Sequence, residues 1–272
     1  MKRLSSRPPL ADYFGDLWGR REFMLMVPVG DLRQRNMNSA LGSLWHLLNP
    51  LFLAAVYYLV FGVLLGARDS PAVYDNYVGF LVVGLFVFYY TQKSMQNGAR
   101  TVVNNVKMLH NLNFPAAVLP ISSVLTETFA HLPAIIAMAV ILAATGVEPQ
   151  ARWVLVLALL PLQFLLNLGL AFFTSRLTVH FRDTEQFLPY VMRIWFYLSG
   201  ILFTVDRVPD GWPTTLFNLN PVYAFIRVNR EILFNQSVET EALLIAAAWA
   251  IGAFVIGLVF FWRFEGEYSN AA

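Results

Sequence analysis

Glu127 and His131 stand four residues apart in an otherwise apolar stretch, LTETFAHLPAIIA, so on a helix they share one face. Inside a membrane such a pair can relay protons. It can equally tie two helices together through a mutual hydrogen bond. The other histidines, His46, His110 and His180, are scattered, which leaves acid–base catalysis without a cluster. Cysteine is absent, removing disulfides, thiolate metal sites and a thiol nucleophile; no metal site is expected. No phosphate-cradling G-x-x-x-x-G-K-S/T run occurs, so ATP chemistry, if needed, belongs to another chain. Asn235-Gln236-Ser237 matches the three-letter glycosylation pattern, a match too short to carry weight.

A second kind of chemistry is offered by rings. Phe187, Tyr190, Ile194, Tyr197 and Ile201 recur at helical spacing, with Trp195 and Phe196 beside that stripe. Tyr57, Tyr58 and Phe61, on an earlier apolar segment, could face them. Aromatic side chains give flat, rigid, amphipathic surfaces at low entropy cost, which could line a path through the membrane. The same rings also suit packing against lipid or neighbouring helices. Arg193 lies within the stripe. A cation there cannot sit comfortably in hydrocarbon; it either holds a phosphate near the inner leaflet or serves structure, by snorkelling or by pairing with an acid.

The elements that must position these residues are membrane spans. The 272-residue chain is 57% hydrophobic and 13% charged, with a mean hydropathy of +0.55. A soluble domain carries about 25% charged residues, so an all-α integral membrane protein is expected, with no separate soluble domain. About 20 apolar residues are needed per crossing, and six stretches offer themselves: Leu47–Gly66, Asn76–Gln92, Leu119–Thr145, Trp153–Leu177, Phe187–Val205 and Ala242–Trp262. Gln163 and Asn167 in the fourth read as interhelical hydrogen-bonding groups. Between the last two, Pro209, Gly211, Pro213 and Pro221 interrupt an apolar run too broken for one straight span. Such backbone is tolerated at membrane depth only when covered by protein or lining a cavity. Residues 208–235 therefore read as a re-entrant hairpin.

Before the first span, residues 1–46 form a basic arm. Phe14, Leu17, Trp18, Phe23, Leu25 and Met26 recur near helical spacing, as in an amphipathic helix lying in the membrane interface. The N-terminus lacks the pattern of a cleaved secretory signal. With that arm in the cytoplasm, inner segments hold 13 Lys and Arg against 5 outside, and Arg193 within a span completes the 19. This bias orients both termini inward. The division expected is a cytoplasmic arm (1–46), one six-span domain (47–265) and a short cytoplasmic tail (266–272). A net charge of +2 is uninformative about a nucleic-acid partner, and none is expected.

Three stretches carry a family resemblance. Asp31–Gly66, DLRQRNMNSALGSLWHLLNPLFLAAVYYLVFGVLLG, resembles the lead-in and first span of ABC-2-type polysaccharide export permeases. Many relatives have a basic-Tyr-basic-Gln run where this chain has Arg33–Asn38 without the tyrosine. Leu109–Val124, LHNLNFPAAVLPISSV, resembles their cytoplasmic loop, and His180–Ile226, with its Phe-Arg-Asp, Trp-Phe-Tyr-Leu-Ser, Val-Pro and Asn-Pro, their fifth span and gate hairpin. The likeness runs over about residues 12–265.

The resemblance implies a transport subunit, itself no enzyme, in the bacterial plasma membrane. It implies a homodimer joined to two copies of a cytoplasmic ATPase, which would bind ATP and Mg²⁺ while this chain binds no cofactor. Relatives export lipid-linked polysaccharides such as O-antigen, teichoic acid or actinobacterial galactan. Site roles follow from it too. Leu109, Asn111, Leu112, Phe114 and Pro115 would couple to the ATPase, with Leu109, Leu112 and Phe114 inserted into its groove. Pro209, Trp212, Asn220 and Pro221 would form the outer gate, and the aromatic residues above a substrate channel. The alternative from another class is a proton-coupled secondary carrier using Glu127 and His131.

Overall fold

The computed structural model describes residues 10–36, 41–64, 76–106, 109, 115–203, 217 and 219–268, and every regular element among them is helical. Five of those helices are long and apolar enough to cross a membrane: Leu47–Leu64, Tyr77–Asn104, Val118–Ala144, Ala151–His180 and Thr240–Arg263. The chain enters through α1 (Leu10–Gly19) and α2 (Arg21–Asn36), then the first span, α3 (Trp45–Tyr57), which continues as a π-helical stretch over Tyr58–Leu64. The next spans are α4 (Tyr77–Asn104), α5 (Val118–Ala144) and α6 (Leu155–His180). A shorter helix, α7 (Thr184–Tyr197), leads to a bend, and α8 (Pro221–Leu233) to the last span, α9 (Thr240–Arg263), and a final turn, α10 (Glu265–Tyr268).

α4 is the central helix. It is buried along most of its length and packs against α3, α5, α6, α7 and α8. Its start is fixed by Asn76, whose side-chain oxygen accepts from the Gly79 N–H at 2.8 Å while its amide donates to Thr145 at the end of α5. Its other end runs on to Asn104, well beyond Gln92, because the polar turns around Lys93 and Arg100 continue the helix past the hydrocarbon. Some polar residues within the spans are satisfied locally. Ser122, Thr126 and Thr128 of α5 each donate back to the carbonyl four residues earlier.

Small residues set the tightest crossing. A Cβ on Gly257 of α9 would fall on the Gly169 carbonyl of α6, and one on Gly169 would fall on the Ala253 backbone. Close backbone approach of this kind is how membrane helices gain packing without a hydrophobic drive between them.

At the end bearing both termini, α1 is clamped onto the bundle. Tyr13 and Leu17 are buried with Leu109, Ala116–Leu119, Phe261 and Tyr268, whereas Phe14, Trp18, Leu25, Met26 and Val29 of α1 and α2 stay exposed. The Tyr13 hydroxyl donates to Glu265 Oε2 at 2.9 Å, and the Ala116 N–H donates to Oε1 at 2.5 Å. Arg176 lies over the Phe264 ring at 4.0 Å, holding the same end from α6. The exposed row suits a helix pair lying against a membrane surface.

Two outcomes follow from this packing. Gly257→Leu is expected to destabilise by about 3 kcal/mol, lowering Tm in detergent by near 10 °C, because neither backbone can retreat. Gly252→Ala, which meets open space, should shift Tm by no more than about 2 °C. Burial pushes the Glu265 carboxyl from 4.5 up to about 7, against the opposing Ala116 and Tyr13 hydrogen bonds. The folded state then holds its proton more tightly than the unfolded chain, so this contact's stability is full below pH 4.5 and declines as pH rises to about 7. Hydrogen exchange at Ala116 should accordingly speed up across that range in the native protein, beyond the intrinsic pH dependence, and Glu265→Gln should remove the excess.

Candidate functional site

The site is built around the short helix α7 and the bend that ends it. α7 is two-faced. Leu188, Met192 and Phe196 turn inward, while Phe187 (66% exposed), Tyr190 (63% exposed), Arg193, Ile194 and Tyr197 turn outward. Phe196, at 6% exposure, stacks on Tyr57 with ring centroids 5.4 Å apart and meets Phe88 edge-on at 5.3 Å. These contacts fasten α7 to α3 and α4. Tyr57 lies within reach of Phe61, Tyr197, Tyr89 and Arg193, and Tyr58 packs on Tyr77. The result is an aromatic surface with one cation, running along α7 beside α3.

Beyond Tyr197 the helix stops. Helical hydrogen bonding lapses through Ser199–Phe203, and Gly200 adopts φ +60°, a conformation only glycine enters freely. Carbonyls freed at such a bend need partners, and two residues of α8 provide them. Asn220, at the α8 N-cap, donates to Leu198 O at 2.8 Å and Ser199 Oγ at 3.1 Å. Its side-chain oxygen accepts from Trp195 Nε1 at 2.9 Å and from Val222 N–H at 3.0 Å. Pro221 follows at the first helical position, where its missing N–H costs nothing.

Arg230, one face further along α8, donates to Gly200 O at 2.8 Å, Ile201 O at 3.1 Å and Phe80 O of α4 at 2.9 Å. Its guanidinium lies over the Phe80 ring at 3.4 Å. Gly84 leaves room for it, since a Cβ there would come within 2.7 Å of the guanidinium. Nearby, Arg227 bonds Glu231 at 3.0 Å and Glu239, closing α8 onto the start of α9. Tyr77 donates to Leu202 O at 2.9 Å, tying the bend to the start of α4.

Several sequence expectations change here. The stripe expected through Ile201 stops at Tyr197, because the helix ends; Ile201 is fully buried under Arg230. Phe196 is a core residue packed between Tyr57 and Phe88, so it does not share the exposed face. Leu109, expected in an ATPase groove, is 6% exposed and belongs to the same buried cluster as Tyr13 and Leu17 of α1. Pro115 is half-buried beside the Glu265 contact; Asn111, Leu112, Phe114, Pro209 and Trp212 lie outside the described residues. Arg193 stands exposed among the outward rings. Gln163 bonds Val87 O at 3.0 Å and Thr91 at 3.2 Å, joining α6 to α4. Asn235, in the apparent glycosylation pattern, spends its side chain on Glu148 O and Trp153.

Sequence reasoning counted Arg230 as a loop charge. The signal that marks it is its placement: Ile226 four residues before and Leu233 three after put it on the apolar face of α8. Glu127 and His131 do share a face of α5. Glu127 accepts from Asn97 Nδ2 at 2.7 Å, His131 stacks on Tyr90 at 4.7 Å, and both line a cavity of about 490 Å³ between α3, α4 and α5.

Five membrane-length helices and a polar-clasped, broken segment between the last two define a multi-pass membrane protein whose exposed aromatic face is left over from internal packing. The chain belongs to the ABC-2 type transporter family, whose model matches residues 29–234. It is 28% identical over 250 residues to the O-antigen export system permease protein RfbA of Klebsiella pneumoniae, covering 92% of this chain and 94% of that one. To the protein of the same name from Myxococcus xanthus it is 26% identical over 238 residues, 87% of this chain and 90% of the relative.

Arg230→Met leaves three buried carbonyls without their donor and is expected to cost about 3–5 kcal/mol. In detergent this should appear as a large fall in Tm, with proteolytic cleavage opening near the α7–α8 bend. Arg152→Ala, at a half-buried side chain that loses one bond to Gln236 O near the surface, should cost no more than about 1 kcal/mol.

Proposed function

We propose that this chain is the channel-forming membrane subunit of an ATP-driven exporter that moves a lipid-linked polysaccharide from the cytoplasm to the outer face of the bacterial plasma membrane. The glycan would be of O-antigen, teichoic acid or galactan type. The observation that carries this is the likeness to O-antigen export permeases over nearly the whole of both chains. ATP and Mg²⁺ would be bound by two copies of a separate ATPase, and the chain itself would carry out no chemical step. Two copies of this subunit would enclose the path, with the outward rings of α7 (Phe187, Tyr190 and Tyr197, flanked by Trp195) and those of α3 lining it. Arg193 would meet the phosphate end of the substrate.

The layout supports six crossings with both termini in the cytoplasm. Tyr13 bonds Glu265, so α1 and the end of α9 lie on one side of the membrane. An odd number of crossings would separate them. Glu185 pairs with Arg100 near one end of α4, and Leu202 meets Tyr77 at the other. The segment 184–203 thus runs the length of α4, about 35 Å at 1.5 Å per residue, although α7 alone spans only about 21 Å. Residues 1–46 would be the cytoplasmic arm, 47–265 the membrane domain and 266–272 the tail. Within the domain, 208–235 would form the outer gate, with Asn220 and Pro221 as its hinge.

Purification of the tagged chain from its host in mild detergent is expected to bring down an ABC ATPase in equal amount. Deleting the gene should trap glycan inside the cell. A chain that purifies alone, in cells whose surface glycan is unchanged by the deletion, would sink the proposal. Because cysteine is absent, single cysteines report topology cleanly. An impermeant maleimide should label Gln150→Cys in intact spheroplasts, and Gly30→Cys and Gly266→Cys only after lysis. Labelling of Gly266→Cys from outside would exclude six crossings.

A further inference from the structure

The cavity between α3, α4 and α5 has a floor whose groups also join α4 to α5, through Asn97–Glu127 and the Tyr90–His131 stack, and its lining is unusual for the membrane. Its mouth is formed by exposed Trp45 and Asn49 at the start of α3 and by exposed Lys93 of α4. Its floor is Tyr90, Glu127 and His131, all buried. Gln92 stands on the wall. The mouth lies near the end from which α3 enters the membrane, about 6 Å along that helix at Asn49, on the side that the proposed topology makes cytoplasmic.

The chemistry of the lining selects among ligands. A metal would need more than the single carboxylate and single imidazole present. An acyl chain would find polar groups over much of the surface. A phosphate would meet the Glu127 carboxylate, which accepts from Asn97 at 2.7 Å, with Lys93 the cation among the described lining residues. A pyranose ring fits. It has a polar edge of hydroxyls, which both donate and accept, and an apolar face of C–H groups. Asn49 and Gln92 can donate and accept, Glu127 can accept, and Trp45 presents a broad ring at the mouth. Sites of this kind, with a few placed polar groups among aromatic walls and a volume of a few hundred Å³, are those that hold small polar ligands.

We propose that this cavity is a saccharide subsite, where a neutral sugar of the glycan is held through its hydroxyl edge by Asn49, Gln92 and Glu127 and through its face by Trp45. It rests on the reading of the chain as a polysaccharide exporter. It adds to that reading a recognition step on the cytoplasmic side, ahead of the aromatic surface of α7. The sugar would be bound before translocation begins, so the subsite would discriminate between glycans.

The test uses the full complex purified from its host and, as probe, oligosaccharides of two to four sugars cut by mild acid from the host's own surface polysaccharide. Wild type is expected to bind them in a titration, and inorganic pyrophosphate should not displace them. The double variant Asn49→Ala with Gln92→Ala, both at positions open to solvent, should lose about tenfold or more in affinity, the loss of roughly one or two hydrogen bonds. Cells carrying it should display several-fold less surface glycan. Ile136→Ala, on the exposed face of α5, should match wild type in both assays. Absence of probe binding by wild type, displacement by pyrophosphate, or wild-type affinity and export in the double variant would each overturn the subsite. So would an export rate that responds to Glu127→Gln only through its pH dependence, which would make the cavity a proton site. If deleting the gene stops glycan export while any of these holds, the subsite alone fails. If deletion leaves export unchanged, the exporter reading fails with it.

Discussion

A backbone carbonyl at membrane depth has no water to turn to, and the end of α7 exposes several. Everything distinctive about this end of the protein follows from how they are satisfied. Arg230 reaches from α8 to take Gly200, Ile201 and Phe80, and Asn220 takes Leu198 while capping its own helix. The arrangement demands small residues around it: Gly200 for its left-handed turn, Gly84 for room beside the guanidinium. A charge buried this way is costly unless its donors are used. Here the donors replace the helix hydrogen bonds the bend gave up, so the cost of the cation and the cost of the bend offset each other.

With the end of α7 pinned, its two faces separate in role. The inner face, through Phe196, Met192 and Leu188, packs against α3 and α4 and decides where the helix stands. The outer face contributes little to that packing, and its rings are free to meet a substrate or a second copy of the chain. α3 is anchored in the same way, through Tyr57 and Tyr58. At the opposite end, the Tyr13–Glu265–Ala116 contact joins the first helix, the last helix and the start of α5 in one cluster, adjoining the loop proposed to meet the ATPase. A push on that loop would therefore be felt at α1 and α9 as well as α5.

Much of the fold was legible along the chain. The first, third, fourth and last apolar runs became helices within a few residues of their expected limits, since hydrocarbon thickness fixes their length; the second ran on to Asn104 and the fifth stopped at Tyr197. The start of α8 at Pro221 was legible, and the shared face of Glu127 and His131 from their spacing, whereas the bend at Ser199–Phe203 fell inside a stretch expected to be one span. The roles of Phe196, Leu109 and Arg230 were not legible either. Periodicity places a residue on a helix face but does not say which neighbour covers that face. Adjacent rings at 195–197 looked alike in sequence, yet Phe196 is packed between two spans and Tyr197 points outward. Leu109 looked like a free apolar tip until it was found in one buried cluster with α1, about a hundred residues earlier.

What the sequence by itself determined was set by local physics: an all-helical membrane protein, the placement of its apolar runs and the bias of its charges. Only the tertiary structure decided which distant groups meet. Arg230 and Asn220 are consumed by carbonyls far away in sequence, whereas Asn49, Gln92 and Glu127, from three helices, line one cavity. Hydrogen bonds between distant segments depend on how helices pack, and in a membrane that packing turns on shape, on crossings as close as Gly169 against Gly257. Composition and spacing carry no record of it.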